Sequence, residues 1–205
     1  MNLPAKLAPL ALAALVTTLL AACSSPSPAP VLLTLPPVMA ALGAAAPAAP
    51  ASAPVLAVRR VDIPEYLVAR RVRYRADAAT LAEWPNTYWA ERIEIGVSRE
   101  FVSALRQQLP GWAMCDTNCG DQAPGLTLQV TLVPMDFLRG AQKLQAHARI
   151  TLSRAGTPAK ELATRDLSID IPAGADTPQA HAQAISTLLE KVAAEAAPMV
   201  RNARP

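Results

Sequence analysis

Two stretches of strict alternation constrain this chain more than any other feature in it. In "LTLQVTL", Leu126, Leu128, Val130 and Leu132 alternate with Thr127, Gln129 and Thr131, and "LQAHARITL" repeats the pattern from Leu144 to Leu152. A period of two sends the apolar side chains to one face of a strand and the polar ones to the other, so each stretch is a half-buried strand. Arg139-Gly140 between them is a turn signal, which predicts a long hairpin. A third strand is expected from about Glu161 to Ile171. There Leu162 falls out of register with Leu167, Ile169 and Ile171, the mark of a bulge.

A sheet with one apolar face needs a second layer, and two segments of helical period supply it. Trp89, Ile93, Val97, Phe101 and Leu105 recur every four residues between Pro85-Asn86 and Pro110-Gly111, which predicts an amphipathic helix with Gly96 at a point of close packing. Thr177-Pro178 has the form of an N-cap with proline at the first helical position. The stripe Ile185, Leu188, Leu189, Val192 and Ala196 follows, and Pro198 is expected to stop the helix. Upstream, "VLAVRRVDIPEYL" reads as a strand ended by Pro64. "ARRVRYRA", from Ala69, reads as a charged strand with Val72 and Tyr74 on one face. Its crowd of Arg70, Arg71, Arg73 and Arg75 is read as a solvated or edge-protecting face rather than a phosphate-facing patch. The fold class is α+β, a two-layer sandwich: a mostly antiparallel sheet with both amphipathic helices on one face.

The first sixty residues have a different character, for only Lys6, Arg59 and Arg60 are charged there. A cationic start and an apolar run from Leu7 to Leu20 match a signal peptide over residues 1–22, too short to span a membrane. Of two readings of the next cysteine, a lipobox at Leu20-Ala21-Ala22-Cys23 is favoured over simple cleavage that leaves a thiol. Cys23 would then carry acyl chains, each buried methylene contributing roughly 0.8 kcal/mol to anchoring. Ser24, where inner-membrane retention commonly uses Asp, points by sorting convention to the periplasmic face of the outer membrane. Residues 23–54 are rich in alanine and proline and read as a tether, with an edge strand at 31–36. Residues 55–198 are expected to fold and 199–205 to form a tail. The formal net charge of +3, falling to +2 once the segment carrying Lys6 is removed, is too small and scattered for a nucleic-acid surface.

"CDTNC" holds Cys115 and Cys119. A zinc site would need further ligands, and His147 and His181 are distant and expected at exposed or terminal positions. A disulfide is therefore favoured over metal or free thiols. Glu65, Asp136 and Asp166 are read as surface or turn carboxylates rather than an acid–base pair. No G-x-S-x-G, H-E-x-x-H or phosphate-cradling glycine loop is present, so the chain is not expected to be an enzyme or to need a cofactor.

"VRRVDIPEYL", "YWAERIEIGVSREFVSAL" and "VLLTLPP" follow the lipobox in an order that resembles the PqiC family of ABC-type transport auxiliary lipoproteins. The resemblance implies an outer-membrane lipoprotein that works as adaptor to an MCE-type, Pqi-like system moving lipid between membranes in support of envelope integrity. It implies that a periplasmic MCE-domain subunit is the partner. The residues carrying it, Ile63, Pro64, Glu65, Tyr66, Leu67, Tyr88 and Trp89, are the candidate partner-binding residues. A ring-shaped partner would favour a homo-oligomer. The chain departs from the family at "VARRVRYR" and at the CDTNC loop. The rival readings are a general envelope-assembly lipoprotein and a periplasmic lipid-modifying enzyme.

Overall fold

The computed structural model describes residues 28–37, 50, 52–116, 119 and 123–203; Cys23 and the leader lie outside them. Among the described residues the chain runs through β1 (Val31–Leu33), β2 (Val55–Val58), β3 (Arg71–Arg75), β4 (Leu81–Trp89), α1 (Ile93–Gln108), β5 (Ala113–Cys115), β6 (Leu126–Leu138), β7 (Lys143–Arg154), β8 (Lys160–Pro172) and α2 (Pro178–Asn202). Single 3-10 turns lie at Glu65–Leu67 and Arg139–Ala141. The hairpin expected from the two alternating stretches is β6–β7, antiparallel from Leu126↔Arg154 to Leu138↔Lys143, and β8 extends it on the far side of β7. The other edge of β6 is shared. β2 pairs with it in parallel from Leu56↔Leu126 to Val58↔Leu128, while β3 meets it only at Arg75↔Leu138. β5 continues from β2, and β4 and then β1 continue from β3.

The inward faces are those the period of two selects. Leu126, Leu128, Val130 and Leu132 of β6 and Leu144, Ala146, Ala148, Ile150 and Leu152 of β7 are buried. They share one cluster with Val97, Phe101 and Leu105 of α1 and with Ile185, Leu188, Leu189 and Val192 of α2. Each side chain of leucine size so buried contributes roughly 1.5–3 kcal/mol. Bulges reset the alternation twice. In β8 the slip falls at Leu162, between the pairs Leu152↔Ala163 and Ser153↔Glu161. In β6 the register shifts between Leu132 and Met135 around exposed Val133 and Pro134. Beyond that shift the odd-numbered Met135 and Phe137 point inward, and Asp136 falls on the face opposite the helices.

Two helix boundaries differ from the sequence expectation. Trp89 belongs to β4, and α1 starts only at Ile93. The peptide N–H of Trp89 donates to the Arg70 carbonyl (2.7 Å), that of Ala90 to the Leu33 carbonyl (2.7 Å), and Trp89 pairs in register with Leu33. Sheet partners thus take the backbone here, although the side-chain spacing continues the helical stripe. Pro85 and left-handed Asn86 (φ 49°) sit where β4 loses register with β3, between Arg71↔Tyr88 and Arg73↔Glu83. At the other end, α2 continues through Pro198 to Asn202. Proline removes one hydrogen bond and costs about 3 kcal/mol inside a helix. Burial of Val200 and a bond from Arg201 Nη1 to the Gln108 carbonyl (3.0 Å) hold the last turn in place. At its start, the Thr177 hydroxyl accepts the Ala180 N–H (3.1 Å), so the cap matches the sequence reading.

The stretch read as tether therefore contributes to the sheet. Leu33 and Leu35 are buried, and Ser186 Oγ of α2 donates to the Pro36 carbonyl (2.8 Å). Gly96 of α1 lies against this segment: a Cβ there would stand 3.6 Å from Leu35 Cδ1, an ordinary contact, and 3.3 Å from Glu91 Oε1, a tighter one. Leu35→Ala is expected to lower stability by about 2–5 kcal/mol. Leu32→Ala, at a side chain 57% exposed, is expected to stay within about 0.5 kcal/mol of the parent. Urea unfolding of both variants measures the difference.

Candidate functional site

The two segments singled out as partner-binding are brought together by the sheet. After Ile63-Pro64 the chain makes one 3-10 turn, with the Leu67 N–H donating to the Pro64 carbonyl (2.9 Å). Tyr66 is thereby laid against the outward face of the end of β6. Its hydroxyl donates to Asp136 Oδ1 (2.9 Å), Arg75 Nε donates to Asp136 Oδ2 (2.7 Å), and Arg73 Nη1 donates to the Tyr66 carbonyl (2.8 Å). The Arg75 guanidinium also lies 5.7 Å from the centre of the Tyr66 ring. Burial first, then the bond to Asp136, raises the Tyr66 phenol above its ordinary value, and the same carboxylate raises Arg75. Asp136 is thus a buried carboxylate with both oxygens matched, not the surface or turn residue expected. The bulge at Pro134 moved it into a pocket made by Tyr66 and Arg75, and nothing in its neighbours' periodicity announces that.

Trp89 is buried as well, its ring edge-on to His181 at 6.1 Å, while His181 stacks on Phe137 at 4.6 Å. His181 was expected at an exposed or terminal position. It stands four residues before Ile185, on the apolar stripe of α2, and is only 3% exposed. Its Nδ1 is buried without a hydrogen-bond partner, and desolvation pushes its pKa down to about 3. Extending the stripe one turn backwards was the available signal. Of the candidate residues, then, Pro64 and Trp89 are buried, and Ile63 and Leu67 pack half-buried against the core. Tyr66 and Tyr88 are half-buried, Tyr88 beneath the Arg71 guanidinium at 5.3 Å, and Glu65 is exposed.

Where the two segments meet, joined by the bond from Trp89 to Arg70, there is a cleft of about 380 Å³ lined by residues 68–70 and 90–94. One wall holds exposed Arg70, which makes no ion pair among the described residues. The other holds buried Glu94, whose Oε1 is taken by Arg92 and whose Oε2 has no partner. Exposed Arg70 is thus the cation this cleft presents, while the unpartnered Glu94 oxygen is itself buried. Two of the clustered arginines of β3, Arg71 and Arg73, share Glu83. Asp166 receives Arg149 (2.8 Å) and lies 3.4 Å from His147 on the polar face of the sheet. Arg139, read from the sequence only as a turn residue, lies over Trp84 (4.6 Å) and Tyr74 (4.9 Å) and donates to Asp176 (2.8 Å). No local pattern marks that contact. Cys115 and Cys119 form a disulfide with Cα atoms 5.1 Å apart. Among the described residues no cluster of three histidine, cysteine or acidic side chains could hold a metal ion, and no helix is long and apolar enough to cross a membrane.

Residues 34–197 match a family model described as ABC-type transport auxiliary lipoprotein component. A crystal structure of an uncharacterized protein is similar in fold, with a TM-score of 0.66 at 18% identity, covering 84% of this chain and 99% of its own. Protein XCC0632 from Xanthomonas campestris, of the DUF330 family, is similar at a TM-score of 0.56 and 18% identity, covering 82% of this chain and 90% of its own. No curated protein matches.

Asp136→Ala leaves Arg75 and Tyr66 without their acceptor and is expected to cost about 3 kcal/mol, against about 1 kcal/mol for Tyr66→Phe, both read from urea midpoints. For His181 the unfolded side chain takes a proton as pH falls below its ordinary 6.5, whereas the folded one resists until about 3. Stability is therefore expected to fall with acidification across that interval, by up to about 1.4 kcal/mol per pH unit from this group. His181→Phe should flatten the dependence of the urea midpoint between pH 6 and 4, and an unchanged slope would show that other groups govern it.

Proposed function

The chain belongs to the family of ABC-type transport auxiliary lipoprotein components, and on that premise we propose that it is an outer-membrane-anchored adaptor of an MCE-type, Pqi-like lipid transport system. The observation that carries the reading is the family match beginning at residue 34, eleven residues beyond the lipobox cysteine Cys23. Family membership supports an auxiliary role in transport rather than catalysis. Within that role, Cys23 holds the domain on the periplasmic face of the outer membrane, and the periplasmic MCE-domain subunit is its partner.

Chain geometry sharpens the arrangement. Eight residue steps separate Cys23 from Val31, a reach of at most about 29 Å when fully extended. Because Val31 opens β1, this short piece sets the distance from the acylated cysteine to the first ladder. The cleft beside Arg70 and Glu94 is the surface we assign to the partner, since it adjoins both family-like segments and presents Arg70 without a counter-charge among the described residues. A homo-oligomer would let several such clefts face one ring-shaped subunit.

In an envelope fractionation, the wild-type protein is expected in the outer membrane and Cys23→Ser in the soluble periplasmic fraction; retention of the variant in the membrane would refute the anchor. A tagged wild-type protein extracted in mild detergent is expected to bring down an MCE-domain subunit. Arg70→Glu, at an exposed position, should abolish that recovery. Absence of any such subunit from the wild-type preparation would refute the partnership.

A further inference from the structure

A second cleft, of about 360 Å³, lies on the other flank of α1, between that helix and the ends of β2 and β5. Ile95, Arg99, Val102 and Arg106 face it along the helix, at spacings of three and four residues over about 16 Å. Arg59 and Arg60 close it from the strand side, where the Arg59 N–H donates to the Leu128 carbonyl (2.9 Å) and fixes that backbone. Four arginines thus line the cleft against one carboxylate, Asp116, among the described residues.

Among the described residues most arginines are held in ion pairs, but three of these four are not. Arg73 and Arg75 each hold a carboxylate in the sheet, and Arg99 holds Glu91 (2.7 Å) and Glu100 (3.0 Å). Arg59, Arg60 and Arg106 make no ion pair among the described residues, yet they converge on one concavity. Gathering unmatched cations costs repulsion that an anion would relieve. Guanidinium forks suit phosphate, whose several oxygens can take more than one of them. The volume falls in the range of small-ligand pockets. The floor is apolar: Ile95 is 42% exposed, Val102 half-buried, and Val58 lies beneath.

We propose that this cleft binds the phosphate head of an anionic amphiphile, with Arg59, Arg60 and Arg106 on the phosphate and Ile95 and Val102 against the first methylenes of its tail. The assignment rests on the reading of the chain as an envelope lipoprotein, and it adds a ligand class at a surface separate from the cleft assigned to the protein partner.

The test uses the full-length protein purified in nonionic detergent, titrated calorimetrically with dihexanoyl phosphatidic acid against a protein-free micelle blank. Parallel arms use inorganic phosphate, dihexanoyl phosphatidylcholine and a glutamate-rich peptide. Saturable binding of phosphatidic acid is expected, at least about tenfold tighter than that of any other arm. Arg59→Gln with Arg60→Gln, and separately Arg106→Gln, should each weaken it about tenfold or more. Ile95→Asn should weaken phosphatidic acid while leaving phosphate unchanged, and Arg154→Gln, exposed and outside the cleft, should change neither. Urea midpoints confirm that the variants fold. The proposal is overturned by the absence of saturable binding, by equal affinity for inorganic phosphate, by tighter binding of the acidic peptide, or by arginine variants that bind as the parent does. Recovery of the MCE-domain subunit by the arginine variants reports separately on the adaptor reading.

Discussion

Strand β6 is the constraint on which the rest of the structure depends. One of its edges is committed along its length to β7, and the other is divided between β2 at its start and β3 at its end. Its inward leucines form the floor on which both helices pack. The register shift around Pro134 then changes which residues face outward, so the same strand that builds the apolar core at Leu132 presents a carboxylate at Asp136. That carboxylate collects Tyr66 and Arg75 and so fastens the segment after Pro64 to the sheet. A single strand thus organises the core on one face and anchors the turn carrying Tyr66 on the other.

Much of this was legible because periodicity reports burial directly. The alternation of Leu126 to Leu132 and of Leu144 to Leu152, the bulge at Leu162, and the cap at Thr177 all appear where the pattern places them. Where the reading departed, long-range pairing had overridden a local signal. Trp89 continues the helical stripe of Ile93 and Val97, but Leu33, from fifty-six positions earlier, takes its backbone into the sheet. Pro198 stops an isolated helix, but a buried Val200 beyond it keeps this one going. The candidate sites were less legible still, since clefts are made by residues distant in sequence. Arg59 and Arg106, or Arg70 and Glu94, acquire a common role only once α1 is laid on the sheet.

Charge matching separates structure from recognition in this domain. The arginines of β3 looked like a patch in the sequence, yet Arg71, Arg73 and Arg75 are matched by Glu83 and Asp136 within the sheet. Those pairs hold strands and turn in place. Arginines without counter-charges among the described residues lie on both flanks of α1, Arg70 on one side and Arg59, Arg60 and Arg106 on the other, and buried Glu94 keeps one oxygen without a partner. One helix therefore separates two surfaces of different chemistry, one mixed in charge and one basic with an apolar floor.

The parallel ladder between β1 and β4 also has a temporal side. Val31–Leu33 leads the chain, but the partners Thr87–Trp89 follow more than fifty residues later. A parallel pair has no hairpin of its own to nucleate it, and closing so long a loop is slow compared with forming β6–β7. The first strand in the sequence is thus expected to be among the last seated. Until then Leu33 and Leu35 lack the cover of Gly96 and Ser186, and the N-terminal segment remains a free leash rather than a fixed edge of the sheet.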